Sequence, residues 1–205
     1  MQDWQARRSR LDALRDELMA AWSSTGRVYH GPRHLLRVLD AVQGHAPERA
    51  FVLAAWFHDA VYDGARTDNE EESARWLERA TAPLVADGEL DRREVALAGR
   101  IVRATARPLD PLPLSRDRSA IRQFLDADFQ VFASLPEDYD RYVAAVRQEY
   151  ASLPEAAFRA GRRAFLDRLR AEVERRGWFF REASPLAEAL ARKNLAREIA
   201  GLDES

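Results

Sequence analysis

The apolar positions repeat at helical spacing along almost the whole chain. Residues 3–22 set Leu11, Leu14, Leu18 and Trp22 three and four apart, the mark of an amphipathic helix. Gly26 and then Gly31-Pro32 interrupt the pattern, which resumes over 33–44 with Leu35, Leu36, Val38, Leu39 and Val42. Residues 48–62 are apolar on nearly every side and predict a central, buried helix. The next segment, YDGARTDNEEESA, reads as a loop and a helix start, with Asp68 as N-cap and Glu71 three residues on in a capping-box arrangement. Further helices are expected over 90–105, 117–134, 137–151, 154–176 and 186–201, and no alternating run of strand length interrupts them. Pro108, Pro111 and Pro113 stiffen the 107–115 connector. The expectation is an all-α, compact, single-domain helical bundle over 1–205, with eight or nine helices. Within it, 1–24 is an N-terminal helix, 25–135 the core and 136–205 the C-terminal helices.

Composition narrows the chemistry. The 205 residues carry 32 Lys+Arg against 34 Asp+Glu, a formal charge of -2, so no broad field favours nucleic acid or an anionic membrane. Cysteine is absent, which excludes disulfides, thiol nucleophiles and zinc–thiolate sites. Lys193 is the one lysine beside 31 arginines, so lysine covalent chemistry is disfavoured, while bidentate recognition of phosphate has many candidate donors. The longest apolar stretch, FVLAAWF at 51–57, is too short to span a bilayer, and the N-terminus has no apolar signal region. A cytoplasmic protein is the expectation.

All four histidines, His30, His34, His45 and His58, lie in the first third of the chain. His34 opens a helix in YHGPRHLLRVLD, His58 and Asp59 adjoin in WFHDAVYD, and Asp126 and Asp128 sit in QFLDADFQVF. Carboxylates in apolar helices are costly without a cation or hydrogen bonds. Mixed imidazole and carboxylate donors suit a divalent ion such as Mn, Fe, Co, Zn or Mg. Spacing alone leaves a hydrogen-bonded core histidine and a capping aspartate as the alternative for each of these residues.

The ordered set H…HD…D resembles the signature of the HD-domain superfamily of metal-dependent phosphohydrolases. The runs YHxxxH at 29–34, WFHDAVYD at 56–63, DNEEESA at 68–74, FLDAD at 124–128, Tyr142–Tyr150 and ARKNLAREI at 191–199 resemble one bacterial family of predicted HD phosphohydrolases, and they span residues 25–200. The resemblance implies metal ligands His34, His58, Asp59 and Asp128, with Asp128 preferred to Asp126. It implies one divalent ion, a small phosphorylated substrate with a nucleotide favoured, and hydrolysis by metal-activated water. His30 is expected in the substrate pocket. Asp63, then Glu71, are the candidate proton-transfer residues, and Arg33, Arg66 and Asn69 the candidate substrate contacts. Two departures matter. No histidine follows His58, which disfavours a second metal, and HDAVYD places Tyr62 where the HDxxED pattern of guanosine-tetraphosphate hydrolases has glutamate. The competing reading is a metal- and nucleotide-binding sensor of weak activity. Neither nucleic acid nor membrane is an expected partner, and a homo-oligomer is left open.

Overall fold

The computed structural model describes residues 2–203, with side chains from residue 10 onward. In chain order the helices are α1 (Gln2–Trp22), α2 (Pro32–Val42), α3 (Glu48–Phe57), α4 (Asn69–Ala86), α5 (Arg92–Thr105) and α6 (Arg118–Asp128). A 3-10 turn (Phe129–Ala133) runs on from α6, followed by α7 (Pro136–Glu149), α8 (Glu155–Arg176) and α9 (Pro185–Asp203). The fold is all-α, as the periodicity predicts. Among the described residues no helix is long and apolar enough to cross a membrane.

Two apolar cores share the chain. In the first, α3 is central: Ala50, Phe51, Ala54, Ala55 and Phe57 are buried on several sides, and α2, α4 and α5 pack around it. Leu18 and Trp22 close one end, whereas Leu11 is half exposed, so α1 contributes to this core through its last two turns. The second core is built by the 3-10 turn, α7, α8 and α9 around Phe132, Tyr139, Leu166 and Leu195. Phe179 and Phe180 belong to it, which accounts for their apolar run by packing.

The α6–3-10 segment joins the two. Its Ile121, Phe124 and Leu125 face the first core, and its Val131 and Phe132 face the second. Asp128, the last residue of α6, therefore lies at the seam. Asn194 of α9 secures the far side of that segment by donating to the carbonyls of Phe132 (2.9 Å) and Ser134 (2.8 Å). Its neighbour Arg192 pairs with Glu188 instead, as residues two apart on a helix must face differently. The α8 helix stops at Gly177, whose φ of 83° a side chain would resist.

Three expectations need correction. The buried helix ends at Phe57, so His58 and Asp59 stand in the turn that follows it. The capping box does not form: the Asp68 carboxylate turns to Arg66, and Glu71 pairs with Arg103 and Arg75. Finally, residues 129–133 tighten into 3-10 geometry, where one continuous helix had been expected over 117–134.

Candidate metal centre

Three segments bring the candidate ligands together: the start of α2, the turn after α3 and the end of α6. Gly31 and Pro32 start α2, with proline at a first-turn position whose fixed φ suits a helix start, and they place His34 one turn deep and buried. His58 follows α3, where its Nδ1 lies 2.9 Å from the Ala55 carbonyl. A carbonyl only accepts, so Nδ1 carries the proton and the Nε2 lone pair is free to face a cation.

The turn that carries His58 and Asp59 is stabilised from a distance. Arg27 donates to the carbonyls of Asp59 (2.6 Å) and Ala60 (2.9 Å), and also to that of His30 (3.1 Å). The Asp59 and Ala60 carbonyls are ones a continuing helix would have bonded, and Arg27 satisfies them just past the helix end. The Arg27 guanidinium lies over the Trp22 and Tyr62 rings. Trp22 in turn packs beside His58, with ring centroids 5.3 Å apart, and its Nε1 donates to the Trp56 carbonyl.

The ligand atoms converge. Nε2 of His34 and Nε2 of His58 are 3.1 Å apart. Asp128 Oδ1 is 3.1 Å from His34 Nε2 and 3.7 Å from His58 Nε2, while Asp59 Oδ2 is 3.3 Å from His58 Nε2 and 3.7 Å from His34 Nε2. Bonds of about 2.1 Å to a shared cation would set neighbouring donors about 3.0–3.4 Å apart in octahedral or tetrahedral shells. His34, His58 and Asp59 thus fit a divalent ion in both chemistry and spacing, with Asp128 beside them at 3.1 Å from His34 Nε2. His34, His58 and Asp59 by themselves form a cluster able to hold one. Nδ1 of His34 is buried without a hydrogen-bond partner among the described residues.

The electrostatics without a cation show the same convergence. Burial opposes charge on His58, but Asp59 and then Asp128 overcome it and raise its pKa to about 9. Burial would raise Asp59, yet His58 foremost holds it well below the carboxylate range. His34, more strongly desolvated than it is compensated by Asp128, is lowered. A carboxylate pair facing two imidazoles therefore draws in positive charge, here as a proton on His58.

A cavity of about 500 Å³ opens beside the centre, lined by Asp59 and Asp128 together with His30, Tyr62, Glu70 and residues of α7 and α8. His30 stacks on Tyr62 at 4.4 Å and donates from Nδ1 to Glu149 Oε2 at 2.6 Å, a bond that raises its pKa against the desolvation of burial. Glu149 closes α7 and is almost wholly buried. Its Oε1 accepts the backbone N–H groups of Val28, Tyr29 and His30 at 2.7, 2.7 and 2.9 Å, and its Oε2 also accepts the Tyr62 hydroxyl. Burial would raise this carboxyl, but His30 and those N–H groups hold it down at about 2.

Compared with protein-family models, curated proteins and solved structures, the chain matches none.

The other sequence candidates lie elsewhere, and none of them lines the cavity. Asp63 is exposed and accepts from the Ala65 N–H, capping its own turn. The Asn69 amide is spent on the backbone of Asp63, Arg66 pairs with Asp68, and Arg33 is exposed on α2. Glu71 points to α5, where it meets Arg103 at 2.7 Å. Asp126 accepts the Arg181 N–H at 2.9 Å beside a second cavity, while Asp128 faces the histidines.

Glu70, Arg27 and Glu149 are the site residues the sequence reading missed. Glu70 had a signal. The buried stripe of α4 runs Leu84, Thr81, Leu77, Ala74 and Ser73, and its next step toward the N-terminus is Glu70. Burial raises the Glu70 carboxyl above its ordinary value, and Asp59 adds to the rise.

Proposed function

We propose that this chain is a metal-dependent phosphohydrolase of the HD-domain type, acting on a small phosphorylated metabolite. The observation that carries the reading is the meeting of two imidazoles and two carboxylates, from separate segments, at one end of a 500 Å³ cavity. His34, His58, Asp59 and Asp128 would hold one divalent ion. When bound, such an ion supplies Lewis acidity toward a phosphoryl oxygen and lowers the pKa of coordinated water.

The chain's own residues then have distinct tasks. Glu70 lines the cavity with a raised carboxyl, suited to hold a proton and pass it to a leaving oxygen. It takes the role expected of Asp63 or Glu71, both of which lie outside the cavity. His30, whose pKa the Glu149 hydrogen bond raises against burial, would offer its remaining ring N–H to a phosphoryl oxygen when protonated. Arg27 holds the carbonyl of Asp59 and so fixes the direction of that carboxylate.

A metal-binding sensor of weak activity is the second reading. It is favoured by the placement of Arg33 and Arg66, the expected cationic donors, away from the cavity. Elemental analysis of protein purified without chelator, paired with a phosphoester screen, separates the two. A phosphohydrolase binds about one metal and turns over at least one ester, and Asp59→Ala abolishes both. Metal lost on mutation, with no turnover of any ester, selects the sensor. Metal content unchanged in both His58→Ala and Asp59→Ala overturns the site itself.

A further inference from the structure

Away from the metal end the cavity changes character. Phe129 faces it from the 3-10 turn, and Phe158, Gly161 and Phe165 line it from one face of α8, three and four residues apart. Most polar side chains on these walls are already engaged, and Arg107 is an exposed exception that offers donors alone. Thr105 donates to the Val102 carbonyl at 2.7 Å, and the Tyr142 hydroxyl accepts from Arg162 at 2.9 Å. Arg162 is clasped by Glu198, and Arg168 pairs with Asp110. Among the described residues no asparagine, glutamine, serine or lysine lines the cavity. A nucleobase or sugar held here would leave much of its hydrogen-bonding edge unmatched, which is costly on burial.

Gly161 is an exposed residue on the cavity-lining face of α8. It sits inside α8 with no left-handed φ to require glycine, and a Cβ added there would meet nothing within 4 Å. Glycine at such a place favours the helix less than alanine does. The backbone does not need it and no neighbour crowds it, so the missing side chain leaves open space on the exposed, cavity-lining face of α8.

We infer that the site takes a phosphoester whose body is an apolar group of about aromatic-ring size, seated against Phe129, Phe158 and Phe165, in preference to a nucleotide or a sugar phosphate. The chemistry of this inference rests on the phosphohydrolase reading; the binding preference does not.

The test uses the full chain loaded with a divalent metal. Turnover is compared for 1-naphthyl phosphate, glycerol 3-phosphate and adenosine monophosphate. In parallel, calorimetry measures the affinities of two stable anions, 1-naphthylphosphonate and methylphosphonate. We expect kcat/KM for the naphthyl ester to exceed the others by about tenfold or more, and naphthylphosphonate to bind about tenfold or more tighter than methylphosphonate. Gly161→Leu, and separately Ala157→Leu one turn away on the same lining face, should each lower that affinity ratio about tenfold. A thermal melt confirms that each variant is folded. Preference for the nucleotide or the sugar phosphate, or a ratio unmoved by both variants, overturns the inference while leaving hydrolysis intact. Absence of all turnover, with the phosphonate preference present and sensitive to Gly161→Leu, overturns the phosphohydrolase reading and supports this one.

Discussion

Glu149→Gln should uncouple the second half of the molecule from the loop that carries His30. The substitution is close to isosteric, so its effect reports charge and hydrogen bonding, with packing little altered. In the native protein this carboxylate accepts three backbone N–H groups through Oε1, and the His30 ring and the Tyr62 hydroxyl through Oε2. Its pKa falls from an ordinary 4.5 to about 2, which corresponds to about 3 kcal/mol of preference for the charged form. Glutamine keeps one acceptor for the N–H groups but faces His30 with an amide, so a loss of about 2–3 kcal/mol is expected near pH 6. The sign with pH follows from both partners. A depressed carboxyl stabilises above 4.5, and that share is lost as pH falls toward 2. The raised His30 stabilises below 6.5, and its share is lost as pH rises through its folded-state value. The difference between native and Glu149→Gln unfolding free energies should therefore be greatest between about pH 5 and 6.5 and shrink on both sides. Urea unfolding of both proteins from pH 3 to 9 measures it. A difference below about 0.5 kcal/mol, or one that is flat across that range, refutes the reasoning.

Three further outcomes are expected. Glu70→Gln should lower kcat by about 100-fold with metal content unchanged, while Glu71→Gln, which touches only Arg103 and Arg75, should stay within about twofold; steady-state kinetics on any accepted ester decides between them. Asp126→Asn should raise stability by about 1 kcal/mol at pH 7, because burial lifts that carboxyl to about 6 and disfavours its charge; the gain should vanish below pH 4, and metal content should hold, whereas Asp128→Asn should lose metal. Arg162→Met should cost about 3–5 kcal/mol in denaturant unfolding, since it leaves Glu198 buried beside Tyr139 and Tyr142 with its cation removed.

How much of this was legible in the chain depends on the range of the contact involved. Helix positions come from local periodicity, and the chain keeps that periodicity faithfully; α7 and α8 begin and end within two residues of where the spacing puts them. The exception at residues 58–62 is instructive. Apolar spacing continues through Val61, but the helix ends at Phe57, and Arg27, thirty-two residues before Asp59, takes the carbonyls of Asp59 and Ala60. One arginine among 31 carries no mark that distinguishes it. The four candidate ligands were readable as a set because each sits in a local motif whose order along the chain is itself distinctive, and the structure brings their side chains together. Of the two proton-transfer candidates, Asp63 lies on an exposed turn and Glu71 faces α5, while Glu70, separated from Glu71 only by helix register in a run of three glutamates, lines the cavity.

Glu149 is the hardest case, because its partners lie about 120 residues away and its own helix gives it no unusual spacing. Its role follows from the division of the molecule into two cores. His34, His58 and Asp59 come from the first core, Asp128 stands where α6 leaves it, and most of the apolar cavity wall belongs to the second. A site built across such a seam keeps its geometry only if the halves are tied beside it. Glu149 is that tie, binding the loop before α2 to α7, while Arg27 fastens the same loop to the turn after α3. Residues that hold a site together from opposite halves of a fold have no periodicity to betray them, and the three-dimensional arrangement is what identifies them.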